Sequence, residues 1–280
     1  NIVDTDKNST FQYPFPNSIN FKNMEIALIS ASLYYTWFNI SDDLNNREIK
    51  YQYVNSAGNQ EVTLTLDEGL YEIDDLNKAL QYSFIQEGLY LIDSAGDYVY
   101  YAELIANNVR NSVDINTYPI PTSLPTDYSQ PTTSTGLGSG GGGFPTASSR
   151  PNLILSSNFN NIVGYDANYE TESSFPTTSS SSQTVSSTKA PNVNPNSSVL
   201  VEVNVVDNPY GQPSNIVYAI VPAVAVGSLI HVSPPEYAFV PIKDGVYNNL
   251  RLRILNKDSL EPMTIMDGEI TMILGIRERR

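Results

Sequence analysis

Apolar and polar positions alternate with a period of two along most of this chain, and the alternation fails in its middle. From Val246 to Arg280 the pattern predicts two strands separated by a turn-rich bend. Ser198–Val206 alternates just as clearly, and Ile216–Val221, Leu229–Val232 and Tyr237–Val240 continue the series. In the first half, Ile49–Val54 and Val62–Leu66 flank a turn at 56–59 and predict a hairpin with a bulged or four-residue connection. Gly88–Ile92 and Tyr98–Ile105 predict a second strand pair across Asp93-Ser94-Ala95-Gly96-Asp97, and Val109–Ile115 a further strand.

Met24–Ile40 is apolar for long enough to be a buried helix. It lacks a 3.6 period and its aromatics crowd late, so it reads as one long strand, or two with a bulge. Residues 1–22, with Pro-Phe-Pro at 14–16, read as an irregular entering arm. Asp74–Gln86 is the one strong helix. Asp74 or Asp75 caps it, Gly88 stops it, and Leu76, Ala79, Leu80, Ser83 and Phe84 form its apolar stripe, with Ser83 the weak member. About ten to twelve strands, one helix and no βα repeat predict an antiparallel sandwich or jelly roll rather than an α/β fold.

Between Tyr118 and Ser197 the chain is dominated by Ser, Thr, Gly, Pro and Asn. Such composition does not bury enough apolar surface to build a core of its own. The expected organisation is a jelly-roll domain made of 1–118 and 198–280, with 119–197 inserted as a polar subdomain. Leu153–Leu155 and Ile162–Tyr165 have the apolar character to pair as strands and anchor it. The Gly138–Gly143 stretch (GSGGGG) and the serines at 179–182 are expected to be its most mobile parts, and the whole insertion to be dispensable for folding.

Composition sharpens this picture. Hydrophobic residues make up 40% of the 280, with 19 Tyr, 9 Phe and a single Trp, and the 18 Pro and 16 Gly imply many turns. The net charge of −15 argues against a free-standing nucleic-acid binder, which needs a positive field. Residues 241–280 are close to neutral, with 7 Lys/Arg against 6 Asp/Glu, and end in Arg277, Arg279 and Arg280. That basic end is either a solvated tail or an interface for acidic neighbours or internal nucleic acid. The absence of Cys fits assembly in a reducing compartment. There is no signal peptide and no uninterrupted apolar run of ~18 residues, so no membrane span is expected. The first residue is Asn1 rather than Met, so a trimmed or processed chain lacking a short N-terminal arm is expected. The Asn-x-Ser/Thr triplets at Asn8, Asn39 and Asn196 are of a kind common by chance.

The search for chemistry is nearly empty. The only histidine, His231, lies on an alternating strand whose neighbours Ile230 and Val232 point to the opposite face; a structural or exposed strand histidine is expected. No Gly-x-Ser-x-Gly elbow exists to recruit it into a triad, and one His with no Cys excludes the usual zinc sites. The glycine stretch at 138–143 is not followed by Lys-Ser/Thr, so it is no phosphate loop. Carboxylate pairs at Asp42/Asp43 and Asp67/Glu68 sit in turns, and Asp74/Asp75 belongs to a helix start. No catalytic, cofactor or metal residue is assigned, and the weight moves to a structural role.

Four segments together resemble the single-jelly-roll penton proteins, the minor capsid proteins of virophages and related Polinton (Maverick) elements. They are Tyr34-Tyr35-Thr36-Trp37-Phe38-Asn39-Ile40, Leu66–Asn77, Asn161-Ile162-Val163-Gly164-Tyr165, and Asp244–Ile254 followed by a turn and the strand ending Leu274-Gly275-Ile276-Arg277. Their order and spacing fit over most of the chain apart from the polar stretches. The resemblance implies an all-β, antiparallel single jelly roll with one short helix, and a non-enzymatic capsid protein in the virion, assembled inside the host cell. It further implies homopentamers at icosahedral vertices against a trimeric major capsid protein, with the insertion free for host-surface contact. Two rivals remain: a receptor- or glycan-binding sandwich, against which the placement of Trp37 in the most apolar segment counts, and a β-sandwich hydrolase, against which the poor histidine and carboxylate pattern counts.

Overall fold

A computed structural model describes residues 8–156, 158–193, 198–209, 211, 213–225, 227–257 and 259–279. In chain order the strands are β1 (Thr10–Phe21), β2 (Met24–Tyr34), β3 (Glu48–Asn55) and β4 (Gly58–Thr65). Helix α1 (Ile73–Glu87) precedes β5 (Tyr90–Ile92), β6 (Tyr98–Tyr100), β7 (Ala102–Asn107), β8 (Ser112–Thr117) and β9 (Asn152–Leu155). A short α2 (Phe159–Val163) leads to β10 (Gln183–Ser186), β11 (Val199–Val203), β12 (Ile216–Ile220), β13 (Leu229–Val232), β14 (Val240–Pro241), β15 (Gly245–Asn256) and β16 (Thr271–Glu278). The protein is all-β with antiparallel pairing throughout these strands, and α1 is the only helix of three turns or more among the described residues.

Two compact units emerge. The first joins Asn1–Phe38 to Asn196–Arg280; the second is Asn39–Pro195. In the first, one sheet runs β1-β15-β11-β12. In the other sheet β2 is central, with β16 along one edge and β13 and β14 sharing the opposite edge, since Ser32 pairs with both Thr271 and His231. Alternation sends Ile26, Leu28, Ala31 and Leu33 from one sheet, and Val199, Val201, Val203, Leu252 and Ile254 from the other, into one core. Each fully buried aliphatic side chain contributes about 1.5–3 kcal/mol of transfer free energy. Trp37, 2% exposed, closes this core against Tyr35 with ring centroids 4.3 Å apart.

The second unit has its own core, in which α1 lies against three small sheets, β4-β3-β9, β10-β8-β7 and the hairpin β5-β6. The expected helix is present, one residue longer at each end. Its N-cap is Glu72 rather than Asp74 or Asp75, and Asp75, three residues on, accepts the Glu72 N–H at 3.2 Å. Gly88 ends the helix at φ 69°. The weak stripe member, Ser83, is buried but satisfied, because its hydroxyl lies 2.9 Å from the Tyr51 hydroxyl.

Several expectations are corrected. Residues 10–21 of the supposed irregular arm form a 12-residue edge strand. Pro14 and Pro16 are tolerated there because one side of β1 has no strand partner among the described residues, and a register shift separates Pro14 from Ile19. Residues 1–7 of that arm lie outside the described residues. The β3–β4 hairpin closes through Ser56 and Ala57 alone, with Gly58 at φ 102°. The predicted strand 98–105 divides at Tyr101, because its two parts serve different sheets. Ile162–Tyr165 is not a strand: α2 takes up Phe159–Val163 and ends at Gly164, φ 80°.

The expected boundary at 118/119 is not where the chain divides. Strands β3 to β8 pair with one another and with β9 and β10, not with strands of 198–280. The polar stretch accordingly belongs to a shared core: Ile120, Leu137, Leu153, Leu155, Phe159, Ile162, Val163 and Tyr165 are all buried with α1 and β3. It is also stitched by polar contacts. Arg150 pairs with Glu172 at 2.7 Å and donates to the Ser179 hydroxyl and the Ser181 carbonyl, both at 3.1 Å. The Gly138–Gly143 stretch is packed rather than a linker. A Cβ on Gly138 would meet the Thr133 carbonyl oxygen at 2.2 Å, and one on Gly142 the Thr135 carbonyl oxygen at 2.5 Å.

Candidate interaction surface

The C-terminal arginines lie at the end of β16. Arg277 is opposite Glu25 in the β2–β16 ladder, and its Nε lies 2.6 Å from the Glu25 carboxylate. Its guanidinium also sits 3.5 Å over the Phe239 ring. Its charge is therefore committed within the chain. Arg279 continues the strand by donating its N–H to the Asn23 carbonyl at 2.8 Å, and its side chain is exposed. Arg280 lies outside the described residues.

Among the described residues each sheet of the first unit has two open edges, β1 and β12 in one, β16 and the β13/β14 pair in the other. Apolar side chains stand beside β1 and β16. Tyr13 on β1 is 62% exposed and Ile273 on β16 is 53% exposed. Phe11, Tyr13, Leu250, Ile270, Met272 and Leu274 line an apolar hollow of about 200 Å³ between β1, β15 and β16. Sequence reasoning missed this surface because it took β1 for an arm; the signal was Phe11-x-Tyr13-x-Phe15, a period-2 run interrupted only by Gln12 and Pro14.

The remaining sequence candidates are dispersed. His231 is exposed on β13, as expected, with its Nδ1 2.9 Å from the Ser32 hydroxyl across the ladder. Asp42 pairs with Arg47 at 2.7 Å, while Glu68 accepts the Asp42 N–H at 2.9 Å, so these acids hold a turn. Among the described residues no cluster of three His, Asp or Glu is placed to hold a metal ion, and no helix is long and apolar enough to cross a membrane. Two ion pairs are largely withdrawn from water. One is Arg150–Glu172. The other joins Arg253 to Glu202, which is 3% exposed and also takes the Asn215 side-chain amide. Each acid has its cation, and Glu202 a further amide donor, the arrangement of a structural pair rather than a reactive one.

The second unit carries many buried tyrosines. Burial pushes the Tyr53 hydroxyl up to about 12 and the Tyr51, Tyr101 and Tyr165 hydroxyls higher still, so all four are neutral hydrogen-bonding groups at ordinary pH. Tyr165 uses its hydroxyl to tie the Val113 and Val185 carbonyls, at 2.8 and 2.7 Å.

The class that fold and surface define is an all-β sandwich protein with open sheet edges and a second β-rich unit inserted in it. No family model and no curated protein matches the sequence. Among solved structures the chain is similar to the mavirus penton protein, at 11% identity and TM-score 0.47, over 97% of this chain and 91% of that one. It is also similar to a chain of the 3.5 Å cryo-EM structure of the Sputnik virophage, at 10% identity and TM-score 0.41, over 96% of this chain and 92% of that one.

Proposed function

We propose that this protein is a structural capsid subunit that forms homopentamers at the vertices of an icosahedral virion and turns over no substrate. The observation that carries the proposal is that two of the open sheet edges, β1 and β16, are flanked by exposed apolar side chains with the hollow between them. A sandwich with such edges is suited to side-by-side association with further copies of itself around a closed ring. The resemblance to virophage and Polinton pentons, set out above from four sequence segments, supports the same reading. The neighbouring trimeric major capsid protein is the second partner, and Arg279, whose side chain is exposed, is the residue assigned to that contact in this reading. The host-facing role expected of 119–197 passes to the whole second unit, because the polar stretch shares that unit's core.

Native mass spectrometry of the purified full chain, over a concentration series and with the major capsid protein added, tests this. A pentamer supports it. Monomer at every concentration, with partner present, overturns it, and a trimer would instead favour a fibre-head module.

A further inference from the structure

Formal charge is absent from two long stretches of the first unit. Between Asn8 and Phe21, which includes all of β1, there is no Asp, Glu, Lys or Arg. There is none between Asn208 and Pro235 either, which includes β12, β13 and the loop joining them. Thr271–Ile276 of β16 is uncharged as well. The chain as a whole carries a net charge of −15. These stretches are therefore where two copies can meet without setting carboxylates against each other, and depletion of charge marks the centre of a protein interface.

The stretches lie on opposite sides of one sandwich. β1 and β12 are the two ends of the order β1-β15-β11-β12, and β16 and β13 run along opposite edges of β2. The apolar hollow is bounded by both β1 and β16, so these share a side. β12 and β13 share the other, where residues 221–228 carry the chain from one sheet to the next.

The two sides differ in form. The β1/β16 side is concave, and Gln12 is the one polar residue among those that line it. The β12/β13 side projects: Val221, Val224 and Leu229 are 65%, 39% and 47% exposed, with Ala223 and Ala225 exposed between them. The projecting loop is also held. Ser228 donates its N–H to the Ala225 carbonyl at 3.1 Å, closing a turn that Gly227 permits at φ 76°. The Gly227 N–H and the Ser228 carbonyl bond the Tyr35 carbonyl and N–H at 2.9 and 3.0 Å. An apolar loop fixed in this way loses little freedom when it docks.

We propose that the Val221–Leu229 loop of one copy seats in the β1/β16 hollow of the next, a head-to-tail contact. The occupant is a second copy because one chain carries both halves, apolar and uncharged, one hollow and one projecting, on opposite sides. A contact between unlike patches passes from copy to copy and can close as a ring, whereas a contact between like patches stops at two. The inference rests on the pentamer reading and adds to it which surfaces meet.

The chain has no Cys, so introduced cysteines report the contact without background. Tyr13→Cys and Val224→Cys chains are made separately, mixed, and treated with a short bismaleimide. The mixture should give dimers linking one variant to the other, and neither variant alone should crosslink. In native mass spectrometry over a concentration series, Val224→Asp should weaken association roughly tenfold or more, with the melting temperature unchanged. Crosslinking of either variant to itself would mean that like patches meet, and overturns the proposal. A pentamer that gives no mixed crosslink, or that is indifferent to Val224→Asp, also overturns it and leaves the pentamer reading standing. Monomer at every concentration, with the major capsid protein present, overturns both.

Discussion

Arg150 and Glu172 face each other at 2.7 Å, with side chains only 13% and 7% exposed, inside the stretch of sequence that looks least able to fold. The pair ties the start of β9 to the segment 171–181 and brings two serine-rich passages under one guanidinium. Removing one partner leaves the other charge largely buried and unpaired, which costs about 3–5 kcal/mol. Arg150→Ala or Glu172→Ala should therefore lower stability by about 3 kcal/mol in urea denaturation. The Arg150→Met, Glu172→Leu double variant should cost clearly less than the sum of the two alanine variants.

Deleting residues 119–195 behind a short Gly/Ser bridge should abolish the cooperative melt of the second unit. The deletion removes Leu137, Leu153, Leu155, Phe159 and Tyr165 from the core around α1, together with β9 and β10 from their sheets. Circular dichroism and near-ultraviolet melting measure it; a sharp transition in the remaining 39–118 would show that the stretch is an ornament.

The division between what was legible and what was not follows from how each signal works. Period-2 alternation located β3, β11, β13, β15 and β16, and a long apolar run without a helical period located β2. The capping signals located α1 for the same local reason. The ordered polar stretch was illegible because its residues are buried by partners distant in sequence. Asn152, fully buried, is bound to Gln52, Glu170, Thr171 and Glu172. No window of composition contains such partners. The pairing of Arg277, in the basic end that the sequence offers as a solvated tail or an interface, was illegible for a similar reason: Glu25 lies 252 residues away.

Ser83 is a polar residue whose place in an apolar stripe depends on one partner. Ser83→Ala strands the Tyr51 hydroxyl in the core at a cost of about 1–3 kcal/mol. Adding Tyr51→Phe removes the stranded group, so the double variant should recover part of that loss. Thermal or urea unfolding of the two single variants and the double variant closes the cycle.

Gly138→Ala forces a methyl group to within 2.2 Å of a backbone carbonyl oxygen, and the expected loss is about 2 kcal/mol. Gly96→Ala is the contrast. Its Cβ meets open space, and only the φ of 90° resists, at about 1–2 kcal/mol. A mobile linker at 138–143 would make the first substitution silent in a melting experiment.

High pH should unfold the second unit. Tyr51, Tyr53, Tyr101 and Tyr165 have folded-state pKa values raised by burial above the ordinary 10. The folded state then holds more protons than the unfolded one between pH 10 and about 12, the value reached by Tyr53. Stability from these groups is complete below pH 10 and falls as the pH rises through that window. Absorbance in the tyrosinate band follows ionisation, and the ionisation of these four buried hydroxyls should coincide with loss of ellipticity. A single smooth titration near 10 with the fold intact would contradict it.

The prolines of β1 have a consequence for how crowded copies of this chain meet. A regular unpaired strand offers its backbone as a template for the next chain, and such growth has no natural end. Pro14 and Pro16 have no N–H to offer, and the register shift after Pro14 spoils the repeat. Contact along β1 is thereby left to side chains, which fit in few ways and let go when they fit badly. Mismatched encounters can be corrected there, whereas an edge of bare amides would keep its errors.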